Sequence, residues 1–180
     1  MPHMTEPSLP YDRRTIALHW LTAALVMSLW VLGQTIDWFP KGTPRIFARS
    51  AHISLGVALA LVLVARIGWR FGGRAVHLPA AGLGWLDKMA TLVHWLLYGL
   101  LVATVALGVT NTWVRGDTIF NLFKIQSLYS NDTGLRETIE DWHALAAHTL
   151  LVVAGLHAAA ALVHHFVWRD DVLRRMWPTR

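Results

Sequence analysis

Residues 142–168 read WHALAAHTLLVVAGLHAAAALVHHFVW, a run with no Asp, Glu, Lys or Arg that nevertheless holds five histidines. About 20 consecutive apolar residues in a helix cross the hydrocarbon core of a bilayer, so this stretch predicts a membrane span. Ionisable side chains are costly at that depth and mark function by default. Three further stretches share its length and character, 16–36, 51–69 and 90–114. Together they predict an all-α, integral membrane four-helix bundle.

The composition points the same way. Hydrophobic residues make up 54% of the 180 and charged residues only 15%, against about 25% charged in a typical soluble domain. The net charge of +5 comes from cations that punctuate apolar runs. They form no single water-facing surface of the kind that binds nucleic acid. With no cysteine there is no disulfide, iron-sulfur cluster, thiolate zinc site or C-x-x-C-H haem attachment. Any metal must rest on histidine or carboxylate.

No repeat, low-complexity tract or second compositional regime interrupts the chain, which predicts one transmembrane domain over 1–180. The first span is too long for a signal peptide and lacks its small-residue cleavage site, so 1–14 are expected to stay attached. Loops are predicted at 37–50, with Pro40, Gly42 and Pro44, and at 70–84, with Gly72, Gly73, Pro79, Gly82 and Gly84. The polar 115–141 has room for short helices, and its Asn131, Asp132 and Gly134 read as a turn. Ten Lys and Arg fall on the side of the two termini and six on the other: Lys41, Arg45, Arg49, Arg115, Lys124 and Arg136. The excess places both termini inside. Trp38, Trp113 and Trp142 then mark the outer interface, and Trp69, Trp85 and Trp168 the inner one.

His143 and His157 lie 14 residues apart, which is roughly 40° in azimuth and about 21 Å along a helix. They share a face at two depths. His52 enters its span from the outer side, level with His143, and His19 enters from the inner side, nearer His157. Two neutral imidazoles from facing helices match the axial ligation of a b-type haem, whereas zinc would want two more ligands. The residues one turn further along are small: Ala23, Gly56, Ala147 and Ala161. After the remaining span histidines stand Tyr98, Val152, Trp168 and Arg169. A lone membrane histidine more often bonds a neighbouring helix, and that is the reading for His148, about 140° round from His143. His94 enters at the inner depth and could replace His19 as a ligand, or bond a haem propionate or a quinone. His3 and His77 lie in polar segments and need no special account.

The runs TIALHW at 15–20, AHISLG at 51–56, DWHALA at 141–146 and GLHAAAALVHHFVWRDDVLRRM at 155–176 resemble the bacterial cytochrome b561 family. The resemblance spans nearly the whole chain. It implies a four-helix bacterial inner-membrane protein with two haem b groups between the helices and both termini cytoplasmic. Matched motif to motif, the family's ligands fall on His19, His52, His143 and His157, and its quinone-side histidine on His164. The relatives that this chain most resembles take electrons from superoxide outside and reduce ubiquinone, without a protein partner. Related dihaem cytochromes relay electrons as membrane subunits of hydrogenases and formate dehydrogenases, which is the alternative function.

The six outer cations flank the outer pair, where a positive mouth would steer an anion such as superoxide; they could equally be solvated loop charges balanced by Asp37, Asp117, Asp132, Glu137, Glu140 and Asp141. His164 lies seven residues beyond His157, about 20° round and about 10.5 Å further in on an ideal helix. Quinone reduction needs two electrons and two protons, and an imidazole there titrates in the right range to supply protons. Arg13, Arg14, His94 and Trp168 could line the same quinone pocket.

Overall fold

In the computed structural model the four apolar stretches are four helices: α1 Arg13–Thr35, α2 Thr43–Phe71, α3 Trp85–Arg115 and α4 Thr133–Val163. The residues described are 11–73, 84–127, 129 and 132–177. His3, His77, Arg74, Pro79, Gly82, Asn131 and Arg180, on which some of the expectations above fall, lie outside them. All four helices are long and apolar enough to cross a membrane.

Two of the helices, α1 and α4, begin at a side-chain cap. Asp12 caps α1, accepting from the Thr15 backbone N–H at 2.9 Å and its hydroxyl at 2.6 Å. Asp132 caps α4, accepting from Leu135 N–H at 2.8 Å, so the expected turn there is a helix start. Three helices run further than the apolar spans. α2 starts at Thr43 and α4 at Thr133, well inside the predicted loops 37–50 and 115–141, and α3 starts at Trp85. Their extra turns carry Arg45, Arg49, Glu137 and Glu140, polar residues that an apolar-run criterion discards although they suit a helix emerging into water.

Between α3 and α4, Gly116 ends α3 in the left-handed conformation at φ 65°. A two-residue hairpin follows, Thr118–Ile119 (β1) against Phe123–Lys124 (β2), with Phe120 and Asn121 at positive φ in the turn. Ser50, fully buried on α2, fastens it: the Ser50 hydroxyl accepts from Phe120 N–H at 2.8 Å and donates to the Ile46 carbonyl at 2.7 Å. The hairpin thus sits on the N-terminal end of α2, where Ser50 is two residues from His52.

The backbones pack most extensively as two pairs, α1 with α2 and α3 with α4, with a lighter contact between α2 and α3. The buried core is a leucine cluster, Leu29, Leu59, Leu63, Leu101 and Leu150. Leu150 lies seven residues from both His143 and His157, so this cluster stands midway between the two histidine levels. Most other large apolar side chains point outward, as expected when the surrounding solvent is lipid.

Candidate functional site

The two helix pairs face each other across histidines. His52 on α2 and His143 on α4 stand with ring centroids 6.3 Å apart and planes at 83°. His19 on α1 and His157 on α4 stand 6.4 Å apart at 76°. Both contacts join helices from different packed pairs, where the backbones leave room between them. A metal–imidazole bond is about 2.0–2.1 Å and the bonding nitrogen lies about 1.15 Å from the ring centroid, so two imidazoles facing one ion along a line have centroids about 6.3–6.5 Å apart. Both pairs have that separation. His94, the alternative partner for His157, is 5.2 Å from it, roughly 1 Å short of it. Among the described residues no three His, Cys, Asp or Glu side chains gather as a metal cluster, so the pairs suit a metal whose other ligands come from a macrocycle.

The surroundings of the outer pair favour that arrangement. The His143 Nδ1–H donates to the Thr104 carbonyl at 3.1 Å, which leaves Nε2 free to bind a metal. Gly108 on α3 lies so close that a Cβ there would stand 3.0 Å from His143 Cε1, and a Cβ on Gly33 of α1 would stand 3.4 Å from His52 Cε1. Thr104, Gly108, Asn111 and Arg115 form one stripe of α3. Along it Thr104 Oγ1 and Asn111 Oδ1 are buried without a hydrogen-bond partner. A Cβ on Gly56 would meet nothing within 4 Å. Buried polar groups with unfilled valence and open space beside a glycine fit a bound polar-edged group better than a closed core.

Four of the six outer cations come together. Arg49, Arg115, Lys124 and Arg136 line a pocket of about 250 Å³ with Ile46, Gly116, Asp117 and Thr118. Arg49 is one turn before His52 on α2, so the pocket lies above the outer pair. Asp117 is the counter-charge, 3.4 Å from Arg49 and 3.8 Å from Arg115, while Arg115 also pairs with Glu140 at 2.6 Å. Burial pushes the Asp117 carboxyl up from its ordinary range, against the opposing pull of Arg49 and Arg115. Lys41 and Arg45 are not among the pocket residues; Arg45 is held on the Asp37 carboxylate at 3.1 Å and donates to the Phe39 carbonyl.

At its C-terminal end α4 loosens into a π-helical turn, His164–Trp168, followed by Arg169 in the left-handed conformation at φ 56°. That turn brings Asp170 back to His164, whose Nδ1–H donates to the carboxylate at 2.5 Å, with the Trp168 ring edge-on at 4.5 Å. Asp170 lies outside the sequence reading, and the acidic pair Asp170–Asp171 just beyond Arg169 is its signal. The tail then folds under α1: Trp20 Nε1 donates to the Met176 carbonyl at 2.9 Å and Tyr11 N–H to the Arg175 carbonyl at 3.0 Å. Arg14 stacks on Trp69 at 4.7 Å and Arg13 is exposed. A second residue outside the sequence reading is Arg66, whose Nη2 donates to His19 Nδ1 at 3.2 Å. His148 bonds its own helix, Nδ1–H to the Ala144 carbonyl at 2.7 Å, beside Trp30.

Residues 10–179 match the family model for prokaryotic cytochrome b561. Among similar proteins is the probable superoxide oxidase CybB of Yersinia pestis, 28% identical over 94% of this chain and 97% of that one. Cytochrome b561 homolog 1 of Escherichia coli is 27% identical over 94% of this chain and 98% of its own. Cytochrome b562 of Cereibacter sphaeroides is 28% identical over 94% and 96%. With four membrane-crossing helices, histidine pairs suited to a b-type haem and a family match over nearly its full length, the chain belongs to the prokaryotic cytochrome b561 family of electron-transfer membrane proteins.

Proposed function

We propose that this chain is a dihaem superoxide:ubiquinone oxidoreductase, a single transmembrane domain with both termini cytoplasmic. The observation that carries the proposal is the pair of histidine contacts, alike in separation and set at two depths, with a cationic pocket above the outer one. His52 with His143 and His19 with His157 hold the haems, and the Yersinia relative's name supports superoxide as donor. A haem bound at each pair supplies a reversible one-electron carrier.

The chain's own residues do the rest. Arg49, Arg115, Lys124 and Arg136 draw superoxide to the outer pair, where its oxidation to dioxygen releases one electron and no proton. The leucine cluster keeps water from the middle of the bundle. At the inner face two electrons and two protons convert ubiquinone to ubiquinol, so two superoxide anions balance one quinone. His164 serves the proton side: Asp170 holds Nδ1–H, so Nε2 is the atom that passes a proton on and is refilled from the inner water phase. Trp168 fixes the ring edge. His94, too near His157 for a shared ion, borders the inner site without ligating.

The test uses the purified protein alone in a bilayer disc. Two haems per chain and ubiquinone reduction driven by superoxide are expected. A protein inert by itself that co-purifies with a soluble dehydrogenase would replace this reading with the relay-subunit one. Replacing His19 or His52 by Ala should remove about one haem each, and His94→Ala neither; loss of a haem only in the His94 variant would overturn the inner pairing.

A further inference from the structure

Arg66 stands 14 residues beyond His52 on α2, the interval that separates His143 from His157 on α4. At about 100° and 1.5 Å per residue it shares the His52 face about 21 Å further in. It is therefore the residue that α2 presents at the inner level. The contacts agree, since its guanidinium donates to His19 Nδ1 and lies 5.2 Å from the Tyr98 ring centroid. One turn on, Arg70 lies 5.8 Å from the same ring. Neither arginine forms an ion pair with a carboxylate among the described residues.

A guanidinium carries five donors and no acceptor, and cations along a membrane span ordinarily find an anion or a carbonyl. A ring face and one imidazole nitrogen leave this pair short of negative charge. The bond to His19 also requires the ring proton to sit on Nε2. A metal bound at Nε2 displaces that proton, and ligating imidazoles carry N–H on the other nitrogen. Nδ1 is then a donor, and Arg66 needs a different acceptor.

We propose that Arg66 and Arg70 form the carboxylate-binding site of the inner haem, taking its propionate groups and raising its affinity for an electron. This rests on the reading that His19 and His157 hold a haem. An added electron is negative charge in a low-dielectric setting, and a nearby guanidinium stabilises it. Tyr98 backs both arginines and keeps them turned inward.

The experiment is an equilibrium redox titration of the haem absorption in the full-length, haem-loaded protein, with total haem measured separately. The inner component is the one missing from His19→Ala. Arg66→Gln should keep two haems while the inner component becomes harder to reduce by about tenfold, equivalent to about 59 mV for a one-electron couple. Arg70→Gln should move it less in the same direction, and Arg66→Lys should bring the potential most of the way back to that of the unaltered protein. If Arg66→Gln loses the inner haem, retention in Arg66→Lys supports the site and loss in both overturns it. Titrations in neutral and in anionic lipid separate the two sources of a carboxylate-like anion: a shift seen only in anionic lipid assigns the arginines to phosphate headgroups and overturns the proposal. Two components unmoved by either substitution sink this proposal alone. One haem per chain in the unaltered protein sinks the two-haem reading and this proposal with it.

Discussion

A side chain at Gly108 would crowd His143, because a Cβ there would stand 3.0 Å from its ring, whereas at Gly33 the nearest ring atom of His52 would be 3.4 Å away. Overfilling a packed site costs about 1–3 kcal/mol, so Gly108→Ala should displace His143 and weaken outer haem retention. Gly33→Ala should leave a near-normal spectrum; equal haem content in the two variants would show that Gly108 is not a cradle. The sequence showed small residues one turn beyond each histidine on its own helix, but a glycine on a facing helix becomes visible only once the helices are packed. Asp117 is the second residue with a sharp consequence. Burial raises its pKa, so the folded chain holds this proton more tightly than the unfolded one. Its contribution to stability is therefore fullest at low pH and is lost as pH rises through the folded value. For anion steering the sign is the reverse of an inert spectator's. As pH falls, the pocket loses its one lining carboxylate beside Arg49, Arg115, Lys124 and Arg136, and attraction grows. Asp117→Asn should speed superoxide-driven haem reduction at neutral pH by a factor of a few and flatten its pH dependence. A slower variant with intact haem would mean that Asp117 serves chiefly to position Arg49.

α4 is the element on which both levels depend, since it alone carries a histidine to each. Inserting one alanine between Leu150 and Leu151 would rotate everything beyond it by about 100° relative to His143. The expected product keeps the outer haem and loses the inner one, read as half the haem per chain; retention of both would mean that His157 is replaceable by a residue on another face. The 14-residue interval was legible because an ideal helix needs only residue numbers to place His143 and His157. What lay beyond Val163 was not. The helix stays α as far as His164, whose N–H bonds the Ala160 carbonyl, and the π-helical turn that starts there returns Asp170 to that ring. A hydrogen-bonding slip of one residue leaves no compositional mark in HHFVW. The outer helix starts were missed for a related reason, because Arg45, Arg49, Glu137 and Glu140 are helical without being apolar. Asp170→Asn should preserve both haems and their reduction by superoxide yet slow quinone reduction at least severalfold, with the pH profile displaced, while Asp170→Glu restores part of the rate. His164→Ala should act in the same direction more strongly. An unaltered rate and profile in both variants, with haem intact, would move the quinone site away from the π-turn.

The whole molecule is two helix pairs bridged at two levels, with leucines between and opposite chemistry at the two ends. At one end a hairpin pinned by Ser50 and Asp117 holds cations in a concave group; at the other stand an acid-base couple and two arginines over the Tyr98 ring. That asymmetry suits a device with one entry for an anion and one exit that needs protons. It also predicts how the intact protein responds to salt. Screening lengths fall from about 10 Å at 0.1 M to about 3 Å at 1 M, so long-range attraction of superoxide to the pocket should fade over that range while chemistry inside the bundle should not. Superoxide-driven haem reduction should slow as salt rises, and reduction by a small neutral reductant should stay flat. Replacing Arg49, Lys124 and Arg136 together by Gln should lower the low-salt rate towards the high-salt one and remove most of the salt dependence. Lys41→Gln should do neither, because Lys41 is not among the pocket residues. If the triple variant keeps the full salt response, the attraction arises from the net charge of the outer face as a whole, and the pocket has no special part in bringing the donor in.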